Sequence, residues 1–268
     1  MRLTVCHRTT YSFDPPMRGL VQSLRLWPTE CDNQQVIDWM VKVDGAVRGA
    51  GFTEGAGDRI ETVALAGDVA EATVAVDGTV ETVDASGMLR GMKDKVPPMT
   101  YLRATRAIRP DQALRDLAAE AVAGHTSALD RAHALREAVT KAIEYVPGET
   151  TSETTAAEAL AAGKGVCQDH AHAMIAAAHT LDIPARYVIG YLHADGDIAD
   201  ASHAWAELYV EDLGWVGFDA ANGKSPDAHY IRLGSGFDAV DAAPIRGVAQ
   251  GTGAEAMEID VRVVEAGQ

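Results

Sequence analysis

Residues 163–172 read GKGVCQDHAH and place one cysteine, one aspartate and two histidines directly behind a pair of glycines. Three chemistries fit this stretch. A thiol in the first turn of a helix lies among backbone N–H groups that have no intrahelical acceptor, at the positive end of the helix dipole, and both favour the thiolate. The same N–H groups suit the oxyanion that forms when sulfur attacks a carbonyl, and Gly163 and Gly165 would admit a substrate backbone beside the sulfur. Alternatively, Cys167 and His170 stand one helical turn apart and offer two ligands to zinc, with distant His203 as a third; His172, five residues on, points elsewhere. The remaining reading is a small apolar core residue, because free cysteine is among the most buried residue types. The decapeptide alone leaves all three open.

A second constellation lies downstream. In ASHAWAELYVEDLGWVGFDAANG, residues 201–223, His203 opens an alternating strand and a turn near 211–214 returns the chain to Asp219. An activated thiol needs a base within hydrogen-bond reach, and the base needs a third group to fix its tautomer and support the imidazolium. Cys167, His203 and Asp219 supply those roles in that chain order. Such a triad also constrains the strand register, because a two- or four-residue turn would put His203 and Asp219 on opposite faces of the sheet. It therefore predicts an odd-length loop or a bulge between Tyr209 and Gly217, with Gly214 at positive φ. Trp205 shares the His203 face, and Trp205 and Tyr191 are either core residues or walls of a cleft. Asp169 reads as a charge that suits a helix start.

The elements that must position these groups fall in two parts. Residues 1–98 are expected to be a β-rich, sandwich-like domain, with runs such as RLTVCHRTTYSF, VIDWMVKVDG and VAEATVAVDGTVETVD rich in Val, Thr and Ile. Asp77-Gly78 in the last run is a hairpin signal. Past KDKVPPMT the apolar period changes from two to about 3.6, which begins a second domain, 99–268, with a core at 150–225 and a loop-rich C-terminal tail. Leu114, Leu117, Ala118, Ala121 and Val122 make one helical stripe that Gly124 stops; a second helix follows Thr126 or Ser127 and carries Ala132, Leu135 and Val139. Thr155 with Glu158 has capping-box spacing for a third helix ending at Gly163, and Cys167 opens a fourth. Three strands, ARYVIGYL, HAWAELYV and WVGFD, come next, and MEIDVRVVEA reads as a final strand.

The chain carries a formal charge of −16, the wrong sign for a groove that must neutralise phosphates, so nucleic acid is not an expected partner. No stretch reaches the roughly 18 apolar residues of a membrane span, and no apolar leader opens the chain. The three cysteines are far apart and include no CxxC pair. These features place the protein in the cytoplasm, away from membranes, with no cofactor and no dedicated metal site.

The segments GVCQDHAHAMIAAAHTLDIPARYVIGYL and HAWAELYVEDLGWVGFDAANG resemble the core of the transglutaminase-like superfamily, in particular bacterial members regarded as candidate cysteine proteases. SLRLWPTECDNQQVIDWMVKVDG looks like the β-rich N-terminal region of that group, MTYLRAT like its connector and DAAPIRGVAQGTG like its C-terminal tail. The resemblance implies an α+β, papain-like fold with Cys167 as nucleophile, His203 as general base and Asp219 as its orienting carboxylate. It implies acyl transfer through a thioester on a peptide, isopeptide or glutamine-type carboxamide, with hydrolysis favoured, transglutamination as the alternative, and an idle peptide-binding module as a further one. A protein partner in a larger modification system is also compatible with the group. Gly165, Gln168, Tyr191 and Trp205 are the expected substrate contacts. Gln168 stands where Arg is common, His170 where an aromatic is common, Ala220-Ala221 where Pro-Thr is usual, and Ala239 where Tyr is usual.

Overall fold

A computed structural model describes residues 1–193 and 201–266 of the chain. Its first half is dominated by two very long antiparallel strands, β1 (Arg2–Leu24) and β4 (Arg59–Thr82). They remain paired past the Pro15-Pro16 step because the register shifts twice between Ser12 and Gly19, and Phe13, Met17, Leu20, Val69 and Ala72 close a small apolar cluster there. Strands β2 (Gln34–Val43) and β3 (Val47–Thr53) flank opposite ends of β4. The separate sheets of a sandwich are therefore one six-stranded, hydrogen-bonded sheet, although Val5, Val41, Val74 and Val76 from one end and Leu24 and Val63 from the other enter the same core.

Asp77-Gly78 makes no hairpin. Both residues lie inside β4, paired with Cys6 and Val5 on one side and with Met40 and Trp39 on the other. Gly78 is there for space: a Cβ would meet the Trp39 ring and come within 2.6 Å of the Asp38 carbonyl oxygen. The turn propensity of the dipeptide yields to two-sided strand pairing and to the packing of one indole.

The helices follow the apolar period. α1 (Gln112–Ala121) is capped by Asp111, α2 (Ala128–Ala142) by Ser127, and α3 (Ala156–Ala162) by the Thr155/Glu158 capping box, with Gly163 at φ 65° ending it. Two-residue strands β5 (Glu144–Tyr145) and β6 (Lys164–Gly165) pair in parallel and deliver the chain to α4 (Cys167–His179), which is apolar nearly all round and buried. β7 (Ala185–Leu192), β8 (Ala201–Val210), β9 (Gly214–Phe218) and β10 (Tyr230–Gly236) form a four-stranded antiparallel sheet ordered β10-β7-β8-β9. The expected final strand is β12 (Ala254–Glu265), and a further strand, β11 (Ile245–Gln250), forms within the residues expected as loop; both pair with β1. The first sheet is thus built from both ends of the chain.

A buried ionic cluster joins the two sheets. Glu207 on β8 accepts from Arg186 Nε at 2.6 Å and from Arg232 Nε at 2.9 Å. Arg186 also pairs with Asp94, and Arg232 with Asp58 and Thr29 of the N-terminal part. The Trp215 ring lies 4.1 Å from the Arg186 guanidinium carbon, and Gln34 brackets the Arg232 backbone with two hydrogen bonds of 2.8 Å. Removing the central carboxylate leaves two interior arginines under-paired. We expect Glu207→Leu to destabilise the fold by about 3–5 kcal/mol in denaturant unfolding; a loss below about 1 kcal/mol would mean the cluster is not holding the sheets.

Candidate active site

Cys167 is the first residue of α4, half-buried, and its amide and that of Gln168 lie in the first turn where no acceptor exists four residues back. The turn before it is fixed by Asp169. Its carboxylate reaches back to accept from the Val166 N–H at 2.8 Å and the Thr150 hydroxyl at 2.7 Å. That reach explains Gly165: a Cβ there would sit 2.6 Å from the Asp169 Cβ. Gly165 therefore makes room for the capping aspartate, and its expected role in admitting substrate is not what the geometry assigns it.

His203 stands near the start of β8. Strand β9 pairs with β8 through Val210–Gly214 and Leu208–Val216, leaving a three-residue loop at 211–213. Gly214 has φ 84° and Asp212 φ 66°. The loop has the odd length that brings His203 and Asp219 to one face. Asp219 follows the end of β9, and the His203 Nε2–H donates to Asp219 Oδ2 at 2.7 Å. Nδ1 has no part in that bond, and Cys167 is near enough for its charge to act on the His203 ring. Burial opposes charge on the His203 ring, but the hydrogen bond to Asp219 and the influence of Asp219 and Cys167 prevail and push its pKa up to about 10. Burial likewise opposes ionisation of Asp219, and the His203, Tyr230 and Asn222 donors hold its carboxyl below the usual range.

Two contributors were not foreseen as a pair. Tyr230, from β10, donates its hydroxyl to Asp219 Oδ2 at 2.6 Å, and Asn222 Nδ2 donates to the same atom at 2.7 Å. Asn222 is close in sequence and was readable from its spacing; Tyr230 carries no motif and is brought in by the β7–β10 pairing alone.

The expected substrate contacts separate. Trp205 lies beside the His203 ring, near-parallel at 27° with centroids 6.3 Å apart, and is buried. Gln168 is partly exposed next to Cys167 and its amide reaches the Thr151 carbonyl at 3.4 Å. Tyr191 is not at the site. Gly190 is the residue opposite His203, so Tyr191 faces the other side of the sheet, where its hydroxyl meets His7 Nδ1 at 2.7 Å. His170 is also spent elsewhere: its ring nitrogens lie 2.9 Å from the carbonyl oxygens of Val166 and Ile143. A zinc site using His170 with Cys167 and His203 would have to break one of these contacts, and among the described residues no three metal-ligating side chains are clustered.

The geometry can be set beside known proteins. The profile of the transglutaminase-like superfamily matches residues 115–220, and that of the bacterial transglutaminase-like N-terminal region matches residues 3–81. An uncharacterized protein of Mycobacterium leprae is 29% identical over 98% of both chains. One from Mycobacterium tuberculosis is 38% identical over 130 residues, 44% of this chain and 41% of its own. A crystal structure of a candidate cysteine protease from Cytophaga hutchinsonii superposes with a TM-score of 0.78 at 22% identity, covering 100% of this chain and 91% of that one. That likeness is one of fold.

The buried histidines give opposite pH dependences. His203, with its folded pKa raised to about 10, contributes stability that is full below about pH 6.5 and lost as pH rises through 10. His172, lowered to about 4 mainly by burial, accepts from the Ala239 N–H at 3.1 Å, and its contribution is present above pH 6.5 and lost as pH falls through 4. The stability gap between wild type and His203→Gln should accordingly shrink from pH 7 to 10 in urea titrations, and the gap for His172→Gln should shrink from pH 6.5 to 4. A gap that widens in either window would reverse the assignment.

Proposed function

Because the chain joins a transglutaminase-like superfamily core to the bacterial transglutaminase-like N-terminal region, we propose that it is a thiol acyl-transfer enzyme with Cys167 as nucleophile, His203 as base and acid, and Asp219 as the group that orients His203. The observation that carries this reading is the His203 ring, held by the Asp219 carboxylate at 2.7 Å and electrostatically coupled to the Cys167 thiol at a helix N-terminus.

Cys167 sulfur attacks the carbonyl carbon of a peptide, isopeptide or glutamine-type carboxamide, and the first-turn amides face the developing oxyanion. The C–N bond breaks as the His203 imidazolium gives its proton to the leaving amine, and a thioester remains. Water, deprotonated by His203, then adds to the thioester; the C–S bond breaks and an acid is released. We favour water over an amine as acceptor because Cys167 is partly exposed and Tyr145, electrostatically coupled to it, is 51% exposed, so the opening is wet. Trp205 and Tyr230 cover the inner side of His203 and keep solvent from its bond to Asp219. We place this chemistry in the cytoplasm, which three free thiols suit. Among the described residues no helix is long and apolar enough to cross a membrane.

The test is capture of the thioester from peptide and glutamine-containing pools by intact-mass spectrometry. Acylation should map to Cys167, vanish in Cys167→Ala, and turn over about 10²–10⁴-fold more slowly in Asp219→Ala. A labelled primary amine should enter the product less often than water does. Acyl adducts spread over Cys6, Cys31 and Cys167 alike, or unaffected by loss of Asp219, would contradict the proposal.

A further inference from the structure

Asp219 Oδ2 receives three donors: His203 Nε2 at 2.7 Å, Asn222 Nδ2 at 2.7 Å and the Tyr230 hydroxyl at 2.6 Å. Oδ1 takes the backbone N–H groups of Ala221 at 3.0 Å and Asn222 at 3.1 Å. One carboxylate oxygen has two lone pairs, so three donors on it compete for the same negative charge. Asn222 reaches it from the same tight turn. Tyr230 comes from another strand, where its ring packs with Val188 and Trp205. Its ring stands edge-on to His203, with centroids 5.9 Å apart, and to Trp205 at 5.5 Å. Burial and the neighbouring Asp219 charge keep the phenol protonated, so towards the carboxylate it can only donate.

We propose that Tyr230 is a positioning residue for His203: by sharing Asp219 Oδ2 with the imidazole, it sets how strongly the carboxylate holds the ring proton. This rests on the reading of His203 as the base, but its physical content concerns the His203–Asp219 pair alone. A donor on a carboxylate disperses its charge and weakens its pull on a neighbouring cation. With Tyr230 in place the imidazolium gives up its proton more readily, which is what an acid that must protonate a leaving amine requires.

The other charged and titratable groups about this pair are few among the described residues. Cys167 faces His203 from α4, and Tyr145 from β5 is coupled to both Cys167 and Asp219. Lys224 lies 5.2 Å from the Tyr230 ring centroid and pairs with Asp227 at 2.9 Å. Tyr230→Phe removes one hydroxyl and leaves all of these in place.

The experiment follows the His203 Cε1–H signal by NMR through a pH titration, in a Cys167→Ala background that removes the thiol from the titration, with the signal assigned by its loss in His203→Gln. Tyr230→Phe should move the midpoint up by about 0.5–1 pH unit, because one donor to the charged carboxylate is gone. Replacing Tyr230 with 3-fluorotyrosine, a stronger donor that keeps the ring, should move it down. A purely structural tyrosine would not give shifts of opposite sign. Coincident midpoints, or a downward shift in Tyr230→Phe, would overturn the inference, and if that variant does not fold the fluorotyrosine shift decides alone. Alkylation of Cys167 by iodoacetamide in the otherwise intact protein separates the two readings. Shifted midpoints with an ordinary thiol would keep the role of Tyr230 and remove the catalytic reading; unmoved midpoints with an activated thiol would do the reverse.

Discussion

Strand β8 is held from both faces, and the positions of the other groups follow from that. Ala204, Ala206 and Leu208 enter the apolar core that surrounds α4, while His203, Trp205 and Glu207 alternate with them on the opposite face. Glu207 is 3% exposed and survives there as a charge because Arg186 and Arg232 meet it. A one-residue slip of β8 would carry Glu207 away from both arginines and His203 away from Asp219 together. The ionic cluster and the candidate triad therefore enforce one register, and the cluster extends that constraint through Asp58 and Thr29 to the N-terminal sheet.

Three of the buried histidines show how partners decide charge in the interior. His203 faces a carboxylate and a thiol, and its pKa rises to about 10. His7 faces the hydroxyls of Tyr191 and Thr9, at 2.7 and 2.8 Å, and burial lowers it to about 4. His172 is fixed as an acceptor by the Ala239 N–H and stays neutral as well. Desolvation acts on all three, and only the ring hydrogen-bonded to a carboxylate resists it.

Much of this was legible in the sequence because it rests on local rules. Capping residues Ser127 and Thr155 are where periodicity and side-chain chemistry place them, and the odd β8–β9 loop follows from requiring two side chains on one face. Non-local contacts defeated the reading. Asp77-Gly78 looks like a turn until Trp39 needs its space; Tyr191 shares a strand with Gly190 but not its face; residues 245–250 look like a loop because their partner strand lies at residues 19–24. Tyr230 reaches Asp219 by way of β7. Each depends on which strand lies alongside, which composition and period do not encode.

The account stands or falls on whether Cys167 and His203 act as one unit. The most direct measurement is the rate of Cys167 alkylation by iodoacetamide against pH, with Cys6 and Cys31 replaced, in otherwise wild-type protein and in His203→Ala. An activated pair predicts a rate that stays high well below the free-thiol pKa of about 8.5 and collapses to ordinary thiol behaviour when His203 is removed. A wild-type profile that already follows an ordinary thiol, unchanged by His203→Ala, would contradict it and return Cys167 to a structural place at the head of α4.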